Sequence, residues 1–376
     1  MRHLLGFVCV CALGVTPLLV GCGDTGATIG QVFPCTERGI RNAIAEGGGP
    51  HTFDCVGPTT VVTEAEIVID NDVIIDGETL LTVDGSGRSG RVFSVETAVR
   101  AQLLRVTITG GGGGGVYGGG IKNEGTLAIE RSRVVGNYGD LDGGGIENHG
   151  ALTLSSSSVS ANTVGFPSGG GRGGGIYNGP QAILTLNAST VSGNLAYDPP
   201  DPPEELAAPK SHPPSFGGGV YNEGTMTLIN STLSGNEGGG VYNLYEATAT
   251  LSHCTVDGIW AAGTLTVTSS LIRSGCSGIV TTSSYNIESP GDTCGFDRIS
   301  DLVNVSAEDL NLDPLADNGG STETHALLLG SVAIDVIPAA DCVDADSEPL
   351  TEDQRGEPRP EAGGTMCDVG AFEVQP

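Results

Sequence analysis

Residues 217–243 read GGGVYNEGTMTLINSTLSGNEGGGVYN and contain one complete copy of a short repeat followed by the start of the next. Each copy opens with three glycines, an aliphatic residue, a variable residue and an asparagine. The signature occurs five times, with its asparagines at Asn123, Asn148, Asn178, Asn222 and Asn243. Successive asparagines are 25, 30, 44 and 21 residues apart. Such repetition predicts a fold built by stacking one small unit.

The shortest repeat has room for three strands of three to five residues and none for a helix. Within it, Met226 and Leu228 alternate with polar residues, so one side chain points inward and the next outward. A single unit cannot bury its apolar side, and copies must stack as parallel strands about 4.8 Å apart. The sequence therefore predicts an all-β fold: a single-stranded, right-handed parallel β-helix over residues 59–300.

In-register stacking gives the repeated polar residues a structural role. A buried asparagine at a turn needs partners for its amide, and the same residue of the next coil can supply them. We therefore predict a structural ladder formed by Asn123, Asn148, Asn178, Asn222 and Asn243. A second column contains Ser132, Ser157, Ser189, Ser231, Cys254 and Ser270. Because Cys254 occupies a small-residue position in that column, we expect a buried, unreactive thiol.

An open solenoid end exposes unpaired strand edges and must be capped. Residues 32–58 are predicted to form the N-terminal cap, with Thr36 as the N-cap of a helix through Glu46 and Gly47 ending it. Residues 301–376 lose the repeat and gain proline and acidic residues. That region is predicted to form an irregular C-terminal cap.

The N-terminal residues are typical of a lipoprotein export signal, predicted over residues 1–21. A charged Arg2 precedes an apolar stretch that ends in Leu19-Val20-Gly21-Cys22, which resembles a lipobox. Cys22 would then be acylated, with residues 22–31 as a tether; an ordinary signal peptide is the alternative. We expect an exported protein whose lipid holds it in the membrane of the cell envelope, at the outer membrane or cell surface.

The net charge of −29 argues against a nucleic-acid partner, because nucleic acid is itself strongly negative.

Export to an oxidising compartment makes disulfides the default state of the remaining cysteines. Sequence alone leaves the connectivity open. In a solenoid, however, neighbours in sequence are neighbours in space. This favours three pairs, Cys35–Cys55, Cys276–Cys294 and Cys342–Cys367, and leaves Cys254 unpaired.

The Gly-Gly-Gly-Ile-x-Asn units with their Ser-Gly-Asn steps resemble β-helix repeats of the pectate-lyase-like superfamily, especially those of chlamydial polymorphic outer-membrane proteins. The C-terminal region resembles the bacterial choice-of-anchor Q group through Asn318–Gly320, Thr324–Leu327, Asp353–Gly356, Arg359-Pro360 and Cys367–Glu373. Together the two resemblances cover residues 32–376. They imply a surface-located β-helix and no settled activity. Members of the group often carry a C-terminal sorting segment, whereas the anchor expected here is Cys22.

A lyase acting on polyuronates needs clustered carboxylates for Ca²⁺ and a basic residue to remove a proton. The candidate catalytic residues are Asp70, Asp76, Asp84 and Arg88, with Asp72 and Arg91 nearby. Turn formation by short acidic residues is the alternative interpretation.

Asp344, Asp346 and Glu348 alternate like the start of a calcium loop and are the candidate metal ligands. Pro349 and Arg355 exclude an EF-hand, which needs Gly and Glu at those positions. Beyond a possible calcium ion, no cofactor is expected.

Two features favour binding. The residue before the ladder asparagine should point outward, so that Tyr177, Tyr221 and Tyr242 form a column that either stabilises the sheet by stacking or offers a platform for sugar rings. Insertions at 163–172 and 195–216 share one register, which places both loops on one side. We therefore predict a surface-exposed, lipid-anchored β-helix with a structural, adhesion or glycan-binding role. A polysaccharide lyase or glycoside hydrolase is the alternative.

Overall fold

The computed structural model describes residues 30–87, 89–113, 115, 118–165, 170–197, 216–278, 280–281, 284–344 and 346–376. The proposed acylation site Cys22 and the candidate base Arg88 lie outside the described residues. Within them the chain winds into a right-handed parallel β-helix followed by a separate antiparallel pair, and the 32 strands of both are numbered β1–β32 in chain order. The predicted fold class is confirmed.

Each coil presents three faces. The first face is a ten-stranded parallel sheet of β1 (Val32–Phe33), β2 (Gly48–Phe53), β5 (Val73–Asp76), β8 (Arg100–Leu104), β11 (Thr126–Glu130), β15 (Ala151–Ser155), β19 (Ile183–Asn187), β23 (Thr225–Ile229), β26 (Thr248–Ser252) and β28 (Thr264–Thr268). Its repeating strands of five residues carry two inward aliphatic side chains each.

The second face consists of β3 (Thr59–Val62), β6 (Leu81–Asp84), β9 (Thr107–Thr109), β12 (Arg133–Val135), β16 (Ser158–Ser160), β20 (Thr190–Ser192), β24 (Thr232–Ser234), β27 (Thr255–Ala261), β29 (Leu271–Gly278) and β30 (Ile287–Ser289). The third consists of β4 (Ile67–Ile69), β7 (Phe93–Val95), β10 (Ile121–Asn123), β14 (Ile146–Asn148), β18 (Ile176–Asn178), β22 (Val220–Asn222) and β25 (Val241–Asn243). The two faces join because β27 and β29 run through both.

Identical positions stack from coil to coil and fill the interior. Ile121, Ile146, Ile176, Val220 and Val241 pair in register on the third face and are buried. These aliphatic columns are the core that one repeat could not bury by itself.

The predicted asparagine ladder is confirmed. The Nδ2 atom of each ladder residue donates to the Oδ1 atom of the next, at 2.8 Å from Asn123 to Asn148 and at 2.7 Å for each later step to Asn243. All five side chains are buried. A parallel ladder runs through Asn137, Asn162, Asn194 and Asn236. Because each amide is satisfied by its neighbours, the ladders fix the stacking register.

The serine column also forms. The hydroxyl of each serine accepts from the backbone N–H of the equivalent residue one coil earlier, and Ser270 does so for Cys254 at 3.0 Å. Cys254 is buried and unpaired, and burial raises the pKa of its thiol to about 12. The expected burial of an unpaired thiol is confirmed, and its lack of reactivity stays a prediction.

The N-terminal end is covered by helix α1 (Glu37–Glu46). The hydroxyl of Thr36 accepts from the Gly39 N–H, and Gly47 ends the helix at a positive φ of 69°. Ile40, Ala43 and Ile44 form its buried face. Sequence reasoning therefore gave both ends of the helix correctly.

The C-terminal region contains helix α2 (Ala307–Leu310), a 3-10 helix (Ala339–Asp341) and an antiparallel pair, β31 (Ile337–Pro338) and β32 (Met366–Cys367). It does more than cover the end of the solenoid. Residues of the second face and of the turn before it bond to this region: Asn230 to the Glu352 carbonyl at 2.7 Å and Thr232 to Gln354 at 2.7 Å. The region therefore runs back along one side of the solenoid.

Three disulfides join Cys35 to Cys55, Cys276 to Cys294 and Cys342 to Cys367, as predicted. The first and last hold the two terminal regions. Among the described residues, no helix is both long and apolar enough to cross a bilayer.

Candidate functional site

A column of stacked aromatic rings follows the third face. The residue before each ladder asparagine pairs with its equivalent in the next coil, and the column runs Lys122, Glu147, Tyr177, Tyr221, Tyr242, Trp260 and Ser277. Ring centroids are 6.0 Å apart between Tyr177 and Tyr221, 4.9 Å between Tyr221 and Tyr242, and 3.9 Å between Tyr242 and Trp260. Parallel strands thus turn a repeated aromatic position into one continuous stack.

The expectation that all three tyrosines are exposed is wrong for Tyr177 and Tyr221, whose exposed fractions are 3% and 5%. Two residues at the ends of the insertions lie over the column. The guanidinium of Arg172 sits 4.8 Å from the Tyr177 ring centroid, and Phe216 packs 4.8 Å from Tyr242. Residues Arg172 and Phe216 pair with each other as an isolated bridge, so both insertions re-enter at one register.

An ion-pair network holds the Arg172 side chain over the tyrosine column. Arg172 donates to both carboxylate oxygens of Asp142, at 2.6 and 2.7 Å, and to Glu223 at 3.0 Å. The Tyr177 hydroxyl donates to Glu223 at 2.6 Å. Burial, together with this hydrogen bond, raises the pKa of Tyr177 far above its usual range. Burial also raises the pKa of Asp142. Because Arg172 bonds to Asp142 and Glu223, and Glu223 also accepts from Tyr177, we interpret the middle of the column as a structural element.

The column opens at its far end. The residue that follows Trp260 in register is Ser277, whose small side chain cannot cover an indole ring. A cavity of about 320 Å³ lies there, bordered by Tyr245, Trp260, Ala261, Ala262, Gly263, Ser277 and Gly278. Tyr245 is 77% exposed, and Tyr242 and Trp260 are half-buried. We call Tyr242, Tyr245, Trp260 and these bordering residues the aromatic shelf.

Sequence reasoning found Tyr242 and missed the other two rings of the shelf. Trp260 escaped because β27 lacks the triple glycine and the asparagine that mark this position elsewhere. Only the strand pairing in the structure, which places Trp260 opposite Tyr242, shows that Trp260 belongs to the column. The available signal was that Trp260 is the single tryptophan of the chain and lies in a strand.

The acidic residues proposed for a lyase site do not converge. Asp70 follows β4 on the third face, Asp76 ends β5 on the first and Asp84 ends β6 on the second. Asp76 forms an ion pair with Arg105, and Asp84 accepts from the Ser86 N–H at 2.8 Å. Asp72 accepts from the Arg100 N–H, and Arg91 pairs with Glu66. These contacts match the turn-forming interpretation.

The candidate calcium residues form a turn. Asp344 Oδ1 accepts from the N–H groups of Asp346 and Glu348 at 2.9 and 3.0 Å. Among the residues that the structure describes, no group of three or more His, Cys, Asp or Glu side chains is arranged to hold a metal.

A cavity of about 580 Å³ lies between the solenoid and the C-terminal region. Its walls include Asn230 and Gln354, which hold the two parts together by hydrogen bonds. Asp353, also in this wall, pairs with Arg355 at 2.8 Å. Since these polar groups are used for internal contacts, the cavity follows from docking of the C-terminal region, and the aromatic shelf is the better candidate for ligand binding.

A buried histidine of the C-terminal region contacts a serine of the second face. His325 Nε2 lies 2.8 Å from Ser234 Oγ and 2.9 Å from a guanidinium nitrogen of Arg273, while His325 Nδ1 contacts the Asp313 carbonyl at 2.7 Å. Both Ser234 and His325 are buried, and burial lowers the pKa of His325. A buried serine is out of reach of a substrate, so this contact fastens the C-terminal region to the second face.

No protein-family model and no curated protein matches the chain. Among solved structures, the crystal structure of pectate lyase Pel9A is similar, with a TM-score of 0.57 and 12% sequence identity. The alignment covers 93% of this chain and 97% of that chain. At this identity the likeness shows the fold alone. The two structures therefore share a fold, which in this chain is a right-handed parallel β-helix.

Proposed function

We propose that this protein is an exported, lipid-anchored β-helix that binds carbohydrate at the aromatic shelf. The observation that carries the proposal is the end of the ring column, where Trp260 and Tyr245 border an open cavity. Ligand sites are concave, mainly apolar and aromatic, and hold a few polar groups. A pyranose ring has the flat C–H face that such rings bind, and the exposed Ser277 hydroxyl can meet its hydroxyl groups.

The rest of the column supports this role by making the shelf rigid. Trp260 lies parallel to Tyr242 within 9°, and Tyr242 lies parallel to Tyr221 within 6°. A ring held in place before binding loses little conformational freedom when a ligand arrives, so more of the contact energy appears as affinity. The predicted membrane partner is the lipid on Cys22, which would display the shelf at the cell envelope.

The test is a glycan-binding screen on the full chain with variants of the shelf. Trp260→Ala and Tyr245→Ala should each lower binding at least tenfold. Leu329→Ala is the matched control, because it removes an apolar side chain that is 97% exposed and lies in the C-terminal region. Binding that survives Trp260→Ala, or a screen without any bound glycan, would refute the proposal. Cleavage of a bound glycan would instead favour an enzyme.

A further inference from the structure

We infer that the aromatic shelf selects neutral glycans and rejects uronate polymers, an inference that rests on the proposed function. In the part of the chain that the structure describes, seven residues border the cavity: Tyr245, Trp260, Ala261, Ala262, Gly263, Ser277 and Gly278. None of them carries a charge at neutral pH. A sugar carboxylate placed on this shelf would lose water without gaining a cationic partner, and burying an unpaired charge is costly.

Two arginines, Arg172 over the column and Arg273 in β29, are already held by internal partners. Arg172 is held between Asp142 and Glu223. Arg273 pairs with Asp257 at 3.4 Å and contacts His325. A uronate could use either guanidinium only by replacing an internal carboxylate or imidazole, and a flexible exposed ligand offers no advantage over a partner fixed by the fold.

The net negative charge of the chain also disfavours the binding of uronate polymers. A net charge of −29 repels a polyanion, whereas it leaves a neutral polymer unaffected. Repulsion between exposed charges reaches about 10 Å at 0.1 M salt and about 3 Å at 1 M. The part of the selectivity that comes from electrostatic repulsion of uronates must therefore weaken as salt is added. Selectivity that comes from the shape of the shelf should not depend on salt.

The small residues beside Trp260, namely Gly278, Ala261 and Ala262, leave room for a flat, uncharged ring. Gly278 has a φ of 120°, and a Cβ atom there would lie 1.8 Å from the Ala261 carbonyl oxygen. This position must remain without a side chain, so the space beside Trp260 stays open. Ala261 and Ala262 add only methyl groups. Stacking on Trp260 and Tyr245 can then supply the affinity by burial of apolar surface.

The experiment compares two glycan panels on the full chain by calorimetry. One contains neutral hexaoses (cellohexaose, laminarihexaose and chitohexaose) and the other contains hexagalacturonate and hexamannuronate. At 0.1 M NaCl the best neutral hexaose should bind at least tenfold more tightly than either uronate. At 1 M NaCl that ratio should shrink. Ser277→Arg, which adds a cation to the exposed edge of the shelf, should strengthen hexagalacturonate binding several-fold at 0.1 M NaCl.

Three results overturn the inference. If a uronate binds as tightly as the best neutral hexaose at 0.1 M NaCl and loses affinity in Trp260→Ala, the selectivity is wrong while the shelf remains a carbohydrate site. If Ser277→Arg leaves uronate affinity unchanged, the missing cation is not the cause of the selectivity. If no hexaose of either panel binds, the proposed function fails together with this inference.

Discussion

Trp260 stacks on Tyr242 with ring centroids 3.9 Å apart and planes 9° from parallel. The contact joins the covered part of the aromatic column to the part that borders a cavity. Below it, Tyr221 and Tyr177 are covered by Arg172 and act within the fold. Beyond it, the residue that pairs with Trp260 among those the structure describes is Ser277, and Trp260 borders a cavity. Stability and binding should therefore respond separately to mutation.

Substitution of the covered and the exposed tyrosine should separate these two roles. Tyr221→Ala removes a buried ring between two others and should lower the free energy of unfolding by roughly 3 kcal/mol. Tyr245→Ala should change it by less than about 0.5 kcal/mol, since that side chain is mostly exposed. Urea denaturation measures both. Equal losses for the two variants would contradict the division of the column.

The asparagine ladder gives a second stability prediction. Asn222→Ala removes the acceptor of Asn178 and the donor to Asn243 within a buried row. We expect a loss of about 1–3 kcal/mol, because the remaining amides lose partners away from water. Thr225→Ala, at an exposed position three residues later, is the control and should change little. A ladder variant as stable as the control would show that the amides are dispensable.

Cys254 should resist alkylation in the folded protein. Its thiol is buried and its raised pKa, about 12, keeps the reactive thiolate scarce at pH 8. Iodoacetamide followed by peptide mapping should label Cys254 only after unfolding in urea. Labelling of the native protein at Cys254, or its recovery in a disulfide-linked peptide, would contradict the buried free thiol.

Acid should loosen the contact between the solenoid and the C-terminal region. Burial lowers the pKa of His325 and of His253, so both are neutral when folded and take up protons more readily when unfolded. The stability they provide is present above the unfolded pKa of about 6.5 and is lost as pH falls below it. His149 has the opposite sign, because its hydrogen bond to Glu147 raises its pKa.

The measurement is the urea midpoint between pH 7.5 and pH 5.5. We expect the midpoint to fall in the unmodified chain and to fall less steeply in His325→Gln, which cannot take up this proton. The comparison uses the slope with pH, so a general weakening of the variant does not affect it. Identical slopes would show that His325 does not contribute.

The lipid anchor is tested independently of the fold. Cys22→Ser removes the thiol that the lipobox-like sequence would present for acylation. The variant should no longer partition into membranes, because the acyl chains supply the affinity. Fractionation after expression measures the change, with Cys254→Ser as the control. A Cys22→Ser variant that still sediments with membranes would contradict the proposed anchor.

Several parts of the molecule were predictable because they follow from local rules repeated in register. Stacking equivalent residues is enough to place Asn178 on Asn222 and Cys254 in the serine column. The same short-range logic gives the cap at Thr36 and the pairing of Cys276 with Cys294. None of these requires knowledge of how distant segments meet.

The repeat, and through it the β-helix, the ladders and the position of the tyrosine column, follows from the sequence, which also favours the three disulfides that form. Tertiary structure alone decided which of those tyrosines a ligand can reach. Arg172 covers Tyr177 because Asp142 and Glu223, which are distant in sequence, hold its guanidinium there. Trp260 extends the column by pairing with Tyr242, although its strand lacks the motif. Exposure depends on what packs over a residue from elsewhere in the chain, and the period of a repeat carries no information about that.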